Sequence, residues 1–147
     1  YLKDDGSIKK SGIEAILEAV SQCMRLAEEY EITQLLVMAT SALREAPNGN
    51  KVIHKIEELI GQGVTVLSGT DEARLTFLAA RRWYGWDAGR LLVLDIGGGS
   101  LEVAMGSDEE PTVALSAPAG AGRVTTEFLP SGSPLSFTRF PFLSVVS

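Results

Sequence analysis

Three features of the sequence predict an α/β fold. Helical patterns at 11–30, 51–61 and 71–84 alternate with short apolar runs at 33–40, 64–67 and 90–96, and such alternation builds sheets covered by helices. The apolar part of the last of these runs, Leu91–Leu94, and a further run, Leu101–Met105, flank Gly97, Gly98, Gly99 and Ser100, which reads as strand, tight turn, antiparallel strand. Hydrophobic residues make up 45% of the 147 positions, enough for one domain with a sizeable core.

In chain order, Ser11 and Glu14 have the spacing of a capping box, followed by Ile13, Ile16, Leu17, Val20, Met24 and Ala27 on one helical face. Cys23 lies beside that face and reads as a small buried hydrophobe, since no neighbouring group would activate its thiolate. The run TQLLVMAT, Thr33–Thr40, is apolar at its centre and predicts an interior strand. A short helical turn, SALREA, is then broken by Pro47 and Asn48–Gly49. It carries Arg44 just past the end of a strand, where open α/β sheets place ligand crevices; otherwise such an arginine is simply solvated. In helix 51–61, Val52, Ile53, Ile56, Leu59 and Ile60 point inward and Gly61 and Gly63 close the helix. His54 falls between Lys51 and Lys55 on the polar side, a surface position.

Val64–Leu67 runs as a strand into Ser68–Gly69–Thr70–Asp71–Glu72, where Ser68 and Asp71 have capping-box spacing. Leu75, Leu78, Ala79, Trp83 and Trp86 are expected to form the buried face of the helix that follows. Glu72 sits in its first turn, a place where the helix dipole favours acids whatever their function. Residues 90–96, 101–105 and 112–116 complete one expected central sheet. Successive glycines can take φ > 0 and leave N–H groups uncovered for an anion, while Asp95 at the mouth of the turn could hold Mg²⁺ against a phosphate. An ordinary glycine-rich hairpin with an exposed Asp accounts for the same residues equally well.

Composition narrows the chemistry. A net charge of −6 argues against nucleic-acid binding. One cysteine and one histidine exclude an internal disulfide and a cysteine metal cluster, and leave little room for a His-based triad. No apolar run has the length of a membrane span or a signal-peptide core, so no membrane partner is expected and a cytoplasmic setting is. Neither a Walker P-loop nor a G-x-G-x-x-G fingerprint occurs.

Three motifs in order, ATSALREA (39–46), SGTDEARL (68–75) and DIGGGSLE (95–102), resemble the bacterial exopolyphosphatase / guanosine pentaphosphate phosphatase (Ppx/GppA) family, over about residues 10–130. The resemblance implies part of an actin-like (ribonuclease H-like) ATPase domain, a mixed sheet flanked by helices. It implies hydrolysis of a terminal phosphate from polyphosphate or guanosine pentaphosphate with Mg²⁺, and a homodimer for the full-length protein. By similarity, Glu72 would be the general base and Asp95 would organise metal and attacking water. Arg44, the amides of Gly97, Gly98 and Gly99, Ser100 and Glu102 would form the phosphate site. Asp95 and Glu102 would be the metal carboxylates.

The family's first phosphate loop has no counterpart before Ser11, and residues 131–147 form an irregular Ser/Pro/Phe tail unlike the family. The expectation is an internal piece of such an enzyme, 1–130, inactive in isolation. Two other readings are a nucleotide-binding kinase or ATPase module of the same superfold, and a non-catalytic sensor of polyphosphate or an alarmone.

Overall fold

The computed structural model describes residues 2–129, so the tail lies outside the described residues. The order is α1 (Lys10–Glu29), β1 (Met38–Ala39), α2 (Ser41–Glu45), α3 (Gly49–Ile60), β2 (Thr65–Val66), α4 (Gly69–Tyr84), a 3-10 turn at Trp86–Ala88, β3 (Leu91–Ile96), β4 (Leu101–Gly106), β5 (Val113–Ala117) and α5 (Ala121–Phe128). The α/β class is as expected, but the strands form two sheets rather than one. β1 and β2 pair in parallel, while β3, β4 and β5 form an antiparallel meander in that order. The strand expected at 33–40 narrows to two residues because only Met38 and Ala39 find ladder partners, Thr65 and Val66. α5, from AGRVTTEF, has no apolar periodicity that would announce it; Thr125 and Thr126 return their hydroxyls to the carbonyls of Ala121 and Gly122.

Two apolar cores result. The first gathers Ile8, Val52 and Ile56, covered by Ile13, Ile16, Leu17 and Val20 from α1 and by Leu43. The Asn48 side chain ties the N-terminal segment to it, accepting from Ile8 N and donating to Ile8 O, both at 2.9 Å. α3 ends on Gly61 at φ 71, the left-handed conformation glycine adopts without strain. The second core packs Ala73 and Phe77 of α4 on Ala104, Leu91, Val93 and Ala114 of the meander. The meander's opposite face leaves Leu92, Leu94, Ile96 and Leu115 exposed. No helix among the described residues is long and apolar enough to cross a membrane.

Several local expectations change. α1 starts at Lys10 with Lys9 as an uncapped N-cap, so Ser11 lies inside the helix and makes no capping box. Cys23 is exposed, lining a shallow apolar groove with Leu26, Ala27, Tyr30 and Ile32, because the core-facing stripe of α1 ends short of it. Leu59 is also exposed, whereas His54 is on the surface as expected, beside Glu57. The largest change is in α4, which turns Ala73, Phe77 and Arg81 inward and leaves Leu75, Ala79 and Trp83 exposed, as is Trp86 in the 3-10 turn beyond it. Arg81 explains the rotation. Its guanidinium, 1% exposed, donates to the carbonyls of Gly85 (3.2 Å), Gly89 (2.6 Å) and Gly106 (3.1 Å). It also lies 5.8 Å from the Phe77 ring centroid and 5.7 Å from that of Trp86. Three carbonyls at the ends of α4, the 3-10 turn and β4 thus depend on one cation, which no apolar side chain can replace.

Arg81→Met should therefore leave those carbonyls without donors and lower unfolding stability by about 3 kcal/mol, measured by urea denaturation. Arg81→Lys should recover only part, since an ammonium lacks the fork that spans them. A second expectation concerns the α4 cap, where Ser68 Oγ accepts from Asp71 N and donates to Asp71 Oδ2. The Ser68 hydroxyl holds the Asp71 carboxyl below its usual 3.8. A lowered folded-state value contributes stability above the unfolded value that disappears as pH falls through the folded one. Wild type should melt above Asp71→Asn at neutral pH, and the gap should close below pH 3.8; a gap that persists in acid would assign the effect to shape rather than charge.

Candidate active site

Arg44 is set at the C-terminal end of α2, immediately after β1. Its Nη1 donates to the Leu67 carbonyl at 2.6 Å and to Glu72 Oε1 at 2.5 Å. Leu67 follows β2 and Glu72 occupies the first turn of α4, so both groups lie beyond the C-terminal ends of the two parallel strands. The Arg44 and Glu72 side chains are 24% and 12% exposed, a crevice rather than open surface. Arg44 and Glu72 therefore meet although 28 residues separate them.

The Gly97–Ser100 turn joins β3 to β4 as a hairpin, closed by Gly97 N–H on Ser100 O at 2.9 Å. None of its glycines uses the left-handed φ the sequence suggested. Two of them are short of space: a Cβ on Gly99 would stand 3.0 Å from Ser41 Oγ, and one on Gly97 3.2 Å from Ser100 O, whereas one on Gly98 would meet nothing within 4 Å. The N–H groups of Gly98, Gly99 and Ser100 have no backbone partner among the described residues. Exposure is graded along the turn, with Gly98 open, Gly99 half-buried and Ser100 buried.

Asp95 and Glu102 are register partners across β3 and β4, so both carboxylates leave the same face of the meander. That face meets α4. Asp95 Oδ2 accepts from Thr76 Oγ1 at 3.1 Å, one helical turn after Glu72, and Glu102, 4% exposed, accepts from Ser116 Oγ at 2.8 Å. Gly69 lets Ser116 close on α4, since a Cβ there would lie 2.4 Å from its Oγ and 3.8 Å from Arg44 Nη2. Arg44 and Glu72 are thus joined to the acidic pair through the first turns of one helix. Glu72 and Asp95 do not bond to each other directly.

Sequence reasoning missed several members of the cluster. Thr76, four residues after Glu72, and Ser116, the register partner of Glu102, carry no site signal of their own in the sequence. Glu45 and Arg123 pair with each other, Glu45 Oε1 also lies 3.7 Å from Arg44 Nη2, and Arg123 Nε donates to Gly99 O at 3.2 Å. The segment PAGAGR, a second glycine cluster opening a helix, was the available clue. The cluster thus holds two guanidiniums, Arg44 and Arg123, and four carboxylates, Glu45, Glu72, Asp95 and Glu102, of which Glu45 and Glu72 pair with the arginines. An anionic substrate would meet net negative charge unless a cation accompanied it. No group of three or more metal-binding side chains exists among the described residues. The donor set fits Mg²⁺, which favours one or two carboxylates plus water and substrate phosphate over an all-protein cage.

The sequence pattern of the Ppx/GppA phosphatase family matches residues 1–143. Exopolyphosphatase 1 of Mycobacterium tuberculosis is 49% identical over 129 residues, which are 88% of this chain and 38% of that protein. The protein of the same name from Mycobacterium leprae is 48% identical over the same coverage. Among solved structures, an exopolyphosphatase from Cytophaga hutchinsonii aligns with a TM-score of 0.78 at 26% identity, covering 84% of this chain and 39% of that one. A Ppx/GppA family member from Aquifex aeolicus aligns at 0.70 and 25% identity, covering 85% and 40%. This chain spans less than half the length of each of these relatives, and its fold is part of their actin-like ATPase domain. With its pattern matched almost end to end, the chain belongs to the Ppx/GppA phosphatase family.

Proposed function

We propose that the chain is part of a phosphoanhydride hydrolase that releases terminal phosphate from inorganic polyphosphate. The observation that carries this reading is the 2.5 Å contact of Arg44 with Glu72 near a turn in which the N–H groups of Gly98, Gly99 and Ser100 have no backbone partner among the described residues. Hydrolysis of a phosphoanhydride needs the terminal phosphorus positioned, its oxygens neutralised and a water aimed in line. The N–H groups of Gly98 and Gly99 suit the phosphate oxygens, and the remaining N–H donors of Arg44 suit another. Glu72 is the candidate base for the attacking water, and Arg44, itself fastened to the Leu67 carbonyl, orients it. Asp95 and Glu102 would hold Mg²⁺, which would supply positive charge to the transferring phosphoryl group. The exopolyphosphatases among the relatives support polyphosphate as substrate; guanosine pentaphosphate would offer the same terminal anhydride.

Two outcomes are expected in the protein at the full length of its relatives. Glu72→Gln keeps the side chain's shape but cannot accept a proton, so kcat for phosphate release should fall by about a hundred- to ten-thousand-fold with KM little changed. An unchanged kcat would leave Glu72 a first-turn acid and nothing more. Asp95→Asn should shift the Mg²⁺ concentration needed for half-maximal rate upward; an unmoved metal titration would remove Asp95 from the metal site.

A further inference from the structure

We infer that Arg123 is a positioning residue for this reaction, and that with Glu45 it sets the distance between the phosphate cradle and the general base. The inference rests on the hydrolase reading above. It starts from the carbonyls of the glycine turn, all of which are occupied by residues 120–123. Gly97 O accepts from Ala121 N–H at 2.8 Å, and Gly98 O accepts from Gly122 N–H at 2.9 Å and Arg123 N–H at 3.3 Å. Gly99 O accepts from Gly120 N–H at 3.3 Å and from Arg123 Nε–H at 3.2 Å.

Within one planar trans peptide the C=O and the following N–H point in opposite directions. Fixing the carbonyls of Gly97, Gly98 and Gly99 against α5 therefore aims the N–H groups of Gly98, Gly99 and Ser100 away from it. Arg123 is the member of this set that also reaches the other side of the site. Its Nη2 pairs with Glu45, Glu45 lies 3.7 Å from Arg44 Nη2, and Arg44 holds Glu72 at 2.5 Å. Charge alternates along this string from the turn to the base. Glu45 and Arg44 belong to α2, whereas Arg123 belongs to α5, so the Glu45–Arg123 pair joins two elements far apart in sequence. Both side chains are well exposed, 39% and 41%, where an ion pair contributes little to folding. Its effect lies in geometry, to which in-line attack is sensitive at about 1 Å.

The test uses steady-state phosphate release from polyphosphate by the protein at the full length of its relatives. Arg123→Met should lower kcat by up to about a hundredfold, with KM and melting temperature nearly unchanged. Glu45→Gln should do the same, and the double variant should be no worse than either single, because both act through one link. The exchange Arg123→Glu with Glu45→Arg should recover part of the rate. Unchanged kcat in Arg123→Met, or losses that multiply in the double variant, would overturn the inference. A raised KM with kcat intact would also overturn it, by making Arg123 a substrate contact. Glu72→Gln run in parallel separates the two claims: if it alone loses kcat, the positioning role fails and the hydrolase reading stands. If Glu72→Gln keeps its kcat, the hydrolase reading fails and this inference with it. A readout free of turnover is the response of the Gly98, Gly99 and Ser100 amide NMR signals to tripolyphosphate. These signals should move in the wild type and move less in Arg123→Met, and an equal response in both would count against the role.

Discussion

The orientation of three successive peptide planes in the Gly97–Ser100 turn is the constraint on which the rest of the site depends. An anion cradle needs N–H groups on one side and their carbonyls satisfied on the other, because an unpaired carbonyl facing the same space would repel the ligand. The opening of α5 supplies the second condition. Gly120 is what allows it, since a Cβ there would fall 2.5–2.6 Å from backbone atoms of Gly98, Gly99 and Ser100. The first condition comes from the hairpin, whose register places Asp95 opposite Glu102 at the base of the same turn. Amide donors and acidic groups thus end up adjacent by construction.

The chain uses two arginines in opposite ways. Arg81 is enclosed, and its partners are three carbonyls and two aromatic rings, so its role is to gather backbone ends. Arg44 donates to a single carbonyl and pairs with the Glu72 carboxylate in a crevice. Burial and available partners separate the two roles, since the side chains are chemically identical. Carboxylates outnumber guanidiniums around Arg44, so a bare anion approaching it would meet net negative charge.

The site also lies where the two cores meet. Arg44, Glu45 and Ser41 come from the side built on α1, α3 and the parallel strand pair, while Asp95, Glu102 and the turn come from the meander. α4 connects them by running from Glu72 at its first turn to Phe77 in the second core. Small residues let these layers close, with Gly69 against Ser116 and Gly99 against Ser41. A side chain at either glycine would separate donors from acids.

What the sequence determined by itself is local. The alternation of helices and strands as far as β5, the Ser68–Asp71 cap and the β3–β4 hairpin follow from contiguous residues, whose periodicity and turn chemistry act over a few positions, whereas the site roles of Arg44, Glu72, Asp95 and Glu102 were implied by the resemblance of three motifs to the family. The inward face of α4 did not, because Leu75, Leu78 and Trp83 outrank Arg81 in hydrophobicity and only the carbonyls that the fold gathers from Gly85, Gly89 and Gly106 make Arg81 the better residue to bury. Nor did the division into two sheets, the helix at Ala121–Phe128, or the pairing of Glu45 with Arg123 across 78 residues. Hydrogen bonds and ion pairs of that kind depend on which groups tertiary packing brings within about 3 Å of each other, and side-chain identities along the chain do not encode that distance.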